Sequence, residues 1–104
     1  MVRTQVVSGL LACDAFPRQH GYEVICSLQR PGKQPTFASH GVYGSKAVAN
    51  QVIREIFKEL KGNPTALRAF LSGMRRNPLL EAVATGVGFG FGMIGVQKML
   101  EKNP

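Results

Sequence analysis

Tyr22-Glu23-Val24-Ile25-Cys26-Ser27-Leu28-Gln29-Arg30, then Pro31-Gly32-Lys33, then Thr36-Phe37-Ala38-Ser39-His40-Gly41-Val42-Tyr43 is the stretch whose reading decides the fold. Tyr22, Val24, Cys26 and Leu28 alternate with Glu23, Ser27 and Gln29, Ile25 being the exception. Period-two alternation marks a half-buried strand. Pro ahead of Gly in the next segment suits a type II turn. Thr36–Tyr43 then reads as a returning strand that carries Phe37 and Tyr43 on one face.

Beyond Tyr43 the period changes from two to about four, as an amphipathic helix requires. Val48, Val52, Ile56 and Leu60 recur every fourth residue, flanked by Ala49, Ile53 and Phe57. Ser45 is a suitable N-cap and Gly62 a suitable left-handed stop, so the spacing predicts a helix over 45–61. Asn63-Pro64 and Asn77-Pro78 each pair a capping side chain with proline in a first turn, predicting two further short helices. Leu67, Phe70, Leu71 and Met74 form the apolar face of the first of these.

On the N-terminal side, residues 4–16 are β-rich and lack helix caps, and Pro17–Gly21 is a turn cluster. The expected fold class is α+β: a three-stranded antiparallel sheet over about 4–43, one long helix packed on it, then short C-terminal helices. Residues 1–62 would form the β-β-β-α core and 63–104 a helical extension of the same domain. The second face of the sheet, with Leu10, Ala12, Ile25 and Val42, is too apolar to be left in water. The C-terminal segment or a second copy of the chain could cover it.

The 104 residues carry a formal charge of +7, with 44% apolar and 18% charged residues. That length leaves no room for a large enzyme fold, and that composition is not a disordered basic tail. Residues 1–78 hold 11 Lys/Arg against 4 Asp/Glu, a surplus of seven, while residues 79–104 are balanced at two of each. All the excess charge therefore belongs to the folded basic part, and it favours a polyanionic partner. Ala82–Gln97 is free of charge, and Gly86, Gly88, Gly90 and Gly92 alternate there with Val87, Phe89, Phe91 and Met93. A glycine costs a helix in water about 1 kcal/mol relative to alanine, so this segment needs a protein core, a partner or a bilayer around it.

Cys13 and Cys26 lie on either side of the 17–21 turn. In a cytosolic chain they would be a cross-strand pair of reduced thiols, and an oxidised pair would point to export. A seven-residue apolar run, Val6–Ala12, is too short and interrupted for a secretory signal. Leu10-Leu11-Ala12-Cys13 resembles a bacterial lipoprotein cleavage box, with an unusually short leader. A cytoplasmic location is expected, membrane association through 82–97 being the alternative.

Residues from about 20 to 60 resemble the β-β-β-α portion of double-stranded RNA-binding domains. Gly44-Ser45-Lys46-Ala47-Val48-Ala49-Asn50 keeps that family's Gly, Ser, first Lys and Ala at the helix start, with Ala47 and Asn50 in place of two further lysines. Pro17-Arg18-Gln19-His20 is the nearest match to the family's Pro-x-His loop, one residue longer, and the family's N-terminal helix is missing. The resemblance implies contact with the RNA backbone through Lys46 and the 17–20 loop. Candidate nucleic-acid-binding residues are Lys46, Arg18, His20 and Arg54.

His20 and His40 have no suitably spaced acid or thiol partners, and Ser39 and His40, adjacent in a strand, would point to opposite faces. No catalytic residue, metal site, cofactor or small-molecule substrate is indicated. The leading expectation is a small non-catalytic binding module for structured or double-stranded RNA or another polyanion. The alternatives are a membrane-associated protein, which could self-associate through its Gly-rich segment, and a protein-binding inhibitor or adaptor of viral or mobile-element type.

Overall fold

A computed structural model describes residues 1–86 of the chain. Its element order is β1 (Val2–Val6), β2 (Gly9–Arg18), β3 (Gly21–Gln29), β4 (Thr36–Tyr43), α1 (Lys46–Leu60), α2 (Pro64–Ser72) and α3 (Pro78–Gly86). The strands form one antiparallel sheet in the order β1-β2-β3-β4. The class is α+β as expected, but with four strands rather than three. The stretch that reads as one strand from Thr4 to Phe16 folds back on itself, with Val6 paired to Gly9 across the two-residue turn Val7–Ser8. Two-residue hairpin turns usually announce themselves with Asn-Gly or Asp-Gly. Val-Ser carries no such signal, and here neither residue has a positive φ.

Helix boundaries follow the caps read from the sequence. Ser45 Oγ accepts the Val48 N–H at 3.2 Å, and Asn63 Oδ1 accepts the Ala66 N–H at 3.1 Å. Asn77 Oδ1 accepts from both Leu79 and Leu80. Gly62, at φ 72°, turns the chain out of α1. Each cap satisfies N–H groups that a helix start otherwise leaves unpaired.

Two cores sandwich the sheet. On one face α1 inserts Ala49 and Ile53 against Leu11, Cys13, Ala15, Val24, Cys26 and Leu28, and α2 adds Leu67, Phe70 and Leu71. On the other, Leu80 and Ala84 of α3 cover Ala12, Phe16, Ile25 and Phe37. The second face is thus covered by the chain itself at Val83 and Ala84. The remainder of the 82–97 segment lies outside the described residues. Val42 does not join this core: it stays 53% exposed.

Strand β4 carries a bulge. Glu23 pairs with Val42 but Ile25 pairs with Ser39, so His40 and Gly41 together oppose Val24. The extra residue reverses the parity of β4. Phe37 therefore packs in the α3-side core and Tyr43 against the α1-side core, instead of sharing a face. Gly41 sits at φ 102°, a region closed to most side chains, and Tyr43 Oη braces the kink by donating to the His40 carbonyl at 2.6 Å.

Cys13 and Cys26 are direct cross-strand partners and are joined by a disulfide, with an S–S distance of 2.03 Å. Of the two states the sequence leaves open, reduced in a cytosolic chain or oxidised in an exported one, the structure has the oxidised pair: the pairing register puts the two Cα atoms 4.0 Å apart, within bonding reach. The Leu10–Cys13 box is the buried interior of β2.

Candidate nucleic-acid interface

The pairing of Tyr22 with Tyr43 brings the start of α1 to the end of the sheet that carries the β2–β3 turn. Arg18 and Gly21 flank that turn, and Gly21 lies directly against the Tyr43 carbonyl. Arg18, His20 and Lys46 therefore share one end of the molecule, and all three are exposed. Arg18 is not a free cation: its guanidinium pairs with Glu23, whose other carboxylate oxygen accepts from Ser39 Oγ at 2.6 Å. Lys46 occupies the first turn of α1, where unpaired N–H groups and the helix dipole add to its charge.

Arg54 lies apart from that end, two turns along α1, and its surroundings are set by helical geometry. At about 100° per residue, Lys46, Lys61, Arg54 and Lys58 fall within an arc of about 120°, while Glu55 and Glu59 fall beyond it. The sheet fixes which way each flank looks. Lys61 borders a hollow shared with Thr4 and Val6 of β1, whereas Glu59 borders one shared with His40 of β4. Lys61 thus looks to the β1 side and Glu59 to the β4 side, while Lys58 and Glu55 lie near the outward ridge between them. Arg54 lies inside that arc and is linked to the acids by hydrogen bonds, donating to Gln51 at 2.8 Å, which in turn donates to Glu55 at 3.1 Å. Lys58 and Lys61 are not among the candidates that the sequence singles out. The signal for them is present in the helical spacing, but only the position of β1 shows which way Lys61 looks.

Arg30 and Lys33 are at the opposite end of the sheet. Arg75 joins them there, because its backbone pairs with Phe37 through two hydrogen bonds of 2.6 and 3.0 Å. Its side chain is occupied in donating to the carbonyls of Ser72 and Met74 at the end of α2.

His40 stacks on Phe70 of α2 with ring centroids 4.8 Å apart, and burial lowers its pKa below the usual histidine value. Ser39 meanwhile bonds Glu23, so the two neighbours serve different surroundings. Among the described residues there is no group of three or more side chains suited to hold a metal ion, and no helix is long and apolar enough to cross a membrane. Compared with protein-family models, curated proteins and solved structures, the chain matches none.

Proposed function

We propose that this chain is a non-catalytic module that holds the phosphate backbone of structured or double-stranded RNA. The sorting of charge on α1 supports this reading: Lys46, Arg54, Lys58 and Lys61 lie within one arc that runs about 22 Å along the helix, and Glu55 and Glu59 fall outside it. His20 and Arg18 extend that flank at the Lys46 end. A-form RNA is recognised largely through shape and backbone, which a cationic ridge can follow without reading bases. The likeness of residues 20–60 to double-stranded RNA-binding domains agrees with this assignment.

Four phosphate contacts imply a log–log salt slope of about −3.6, so raising salt from about 50 to 200 mM should weaken binding roughly a hundredfold. Fluorescence anisotropy on a short RNA duplex measures this. Lys46→Glu with Lys58→Glu should abolish binding at the lower salt. Absence of binding there by the native chain, or equal binding by the double variant, would sink the assignment.

A second reading rests on the Cys13–Cys26 bond. Disulfides persist in oxidising compartments rather than in the cytoplasm. There the same flank would meet an acidic protein surface, as an inhibitor or adaptor does. Polyglutamate competing with duplex RNA at equal charge concentration favours this reading; duplex RNA retained against polyglutamate favours the first.

A further inference from the structure

Beside the cationic flank the molecule is not closed. A cleft of about 470 Å³ separates β1 from the C-terminal half of α1 and the start of α2. Its walls are Val6, Leu11, Phe57, Leu60 and Leu67. Apart from Thr4 and Gln5 on the strand side, the polar side chain on its border is Lys61. A second, separate hollow of about 240 Å³ shares Leu67 as a wall and is lined also by the exposed turn residue Val7, Leu71 and Pro64. Arg68 borders that second hollow. The two apolar hollows lie on either side of Leu67, with a cation, Lys61 or Arg68, on the border of each.

The cleft exists for a structural reason. β1 is a short edge strand, and α1 centres its buried residues, Ala49 and Ile53, over β2 and β3. The last turn of α1 and the first of α2 therefore overhang β1 without reaching it, and the side chains between them stay half-buried. Val7 is fully exposed at the turn beside the second hollow. Lys61 and Arg68 take part in no ion pair among the described residues.

We propose that this cleft binds a single-chain anionic amphiphile, such as a fatty carboxylate. The chain would lie on Phe57, Leu60 and Leu67, with the headgroup held by Lys61 or Arg68. The volume lies in the range of small-molecule sites, and the walls are aliphatic with few polar groups, as an acyl chain requires. Charge complementarity selects the headgroup: cations border both hollows, while neither Glu55 nor Glu59 lines either of them. Among the described residues that line the two hollows, a cationic amphiphile has no carboxylate to meet. This site does not depend on RNA binding, although Lys61 belongs to both surfaces.

The test uses the full oxidised chain and cis-parinaric acid, a polyene carboxylate whose fluorescence rises in apolar surroundings. Saturable one-to-one enhancement is expected, displaced by laurate. Across octanoate, decanoate and laurate, affinity should tighten about fourfold per methylene, the equivalent of about 0.8 kcal/mol each, until the cleft is full. Lys61→Ala with Arg68→Ala should weaken laurate binding roughly tenfold, the loss of one charge-assisted contact. Leu67→Trp, which enlarges the wall shared by the two hollows, should abolish it. Thr4→Trp, at an exposed strand position on the cleft border, should reduce it without touching the core. Three results would overturn the proposal: no saturable enhancement, laurate and dodecylammonium bound equally well, or binding that survives both tryptophan variants.

Discussion

Reducing the Cys13–Cys26 bond gives a sharp test of the sheet register, because both sulfurs remain in place and only the cross-link is lost. The two cysteines are 13 residues apart, and a cross-link of that span removes loop entropy from the unfolded chain worth about 3 kcal/mol at 25 °C. Both residues are 0% exposed, sealed beneath Ala49 and Ile53. A reductant should therefore act only after unfolding, and the native oxidised chain should resist alkylation. The assay compares urea unfolding of oxidised protein with protein reduced in denaturant and refolded with reductant present. With urea slopes of about 1–3 kcal/mol per molar, the midpoint should fall by about 1–3 M. The thermal midpoint should drop by about 12–24 °C, at about 4–8 °C per kcal/mol for a small domain. Two free thiols by mass with an unchanged midpoint would refute the reasoning. So would rapid alkylation of the native chain, since it would mean that Cys13 and Cys26 are not bonded partners.

Two other outcomes follow from the packing and the electrostatics. At Gly9 an added Cβ would overlap the Gln29 carbonyl oxygen, a backbone atom of β3 that cannot swing aside, so Gly9→Ala should cost about 3 kcal/mol by urea unfolding; a loss under about 1 kcal/mol would contradict the close approach of the two strands. His40 has its pKa lowered by burial against Phe70. The unfolded chain therefore takes up the proton first as pH falls, and stability should decline below the unfolded histidine pKa of about 6.5. Glu59 borders the same hollow, and no charged side chain of α2 does. The difference in unfolding midpoint between pH 7.5 and 5.5 should be larger in the native chain than in His40→Gln, and equal differences would remove His40 as the cause.

Part of the candidate interface is legible in the sequence. Lys46 stands out because a Gly-Ser-Lys helix start is a local pattern, and its place in the first turn of α1 follows from the Ser45 cap alone. Arg18 is legible as a basic loop residue, but its pairing with Glu23 is not, because it depends on the β2–β3 register. Lys58 and Lys61 are masked in the linear sequence because Glu55 and Glu59 lie between or beside them. On a helix Lys58 and Glu59, adjacent in sequence, do not face each other, and Lys61 is farther round from both acids. The apolar cleft has no sequence signature, since Val6, Leu60 and Leu67 look like any other core residues.

The sequence by itself determined what depends on neighbours within a few residues. It set the three helix starts at Ser45, Asn63 and Asn77, the exit at Gly62, the alternation of β3 and the location of the surplus charge. Those features rest on capping bonds that span two or three residues and on side-chain periods repeated within one element. The tertiary structure decided what requires distant backbones to meet. Val7–Ser8 became a turn because Val2–Val6 pairs with Gly9–Cys13, not because those two residues favour turning. One extra residue at His40–Gly41 sent Phe37 and Tyr43 to opposite cores, since a sheet has period two and a single insertion reverses everything beyond it. The disulfide, the outlook of Lys61 and the cleft beside β1 all follow from that long-range register.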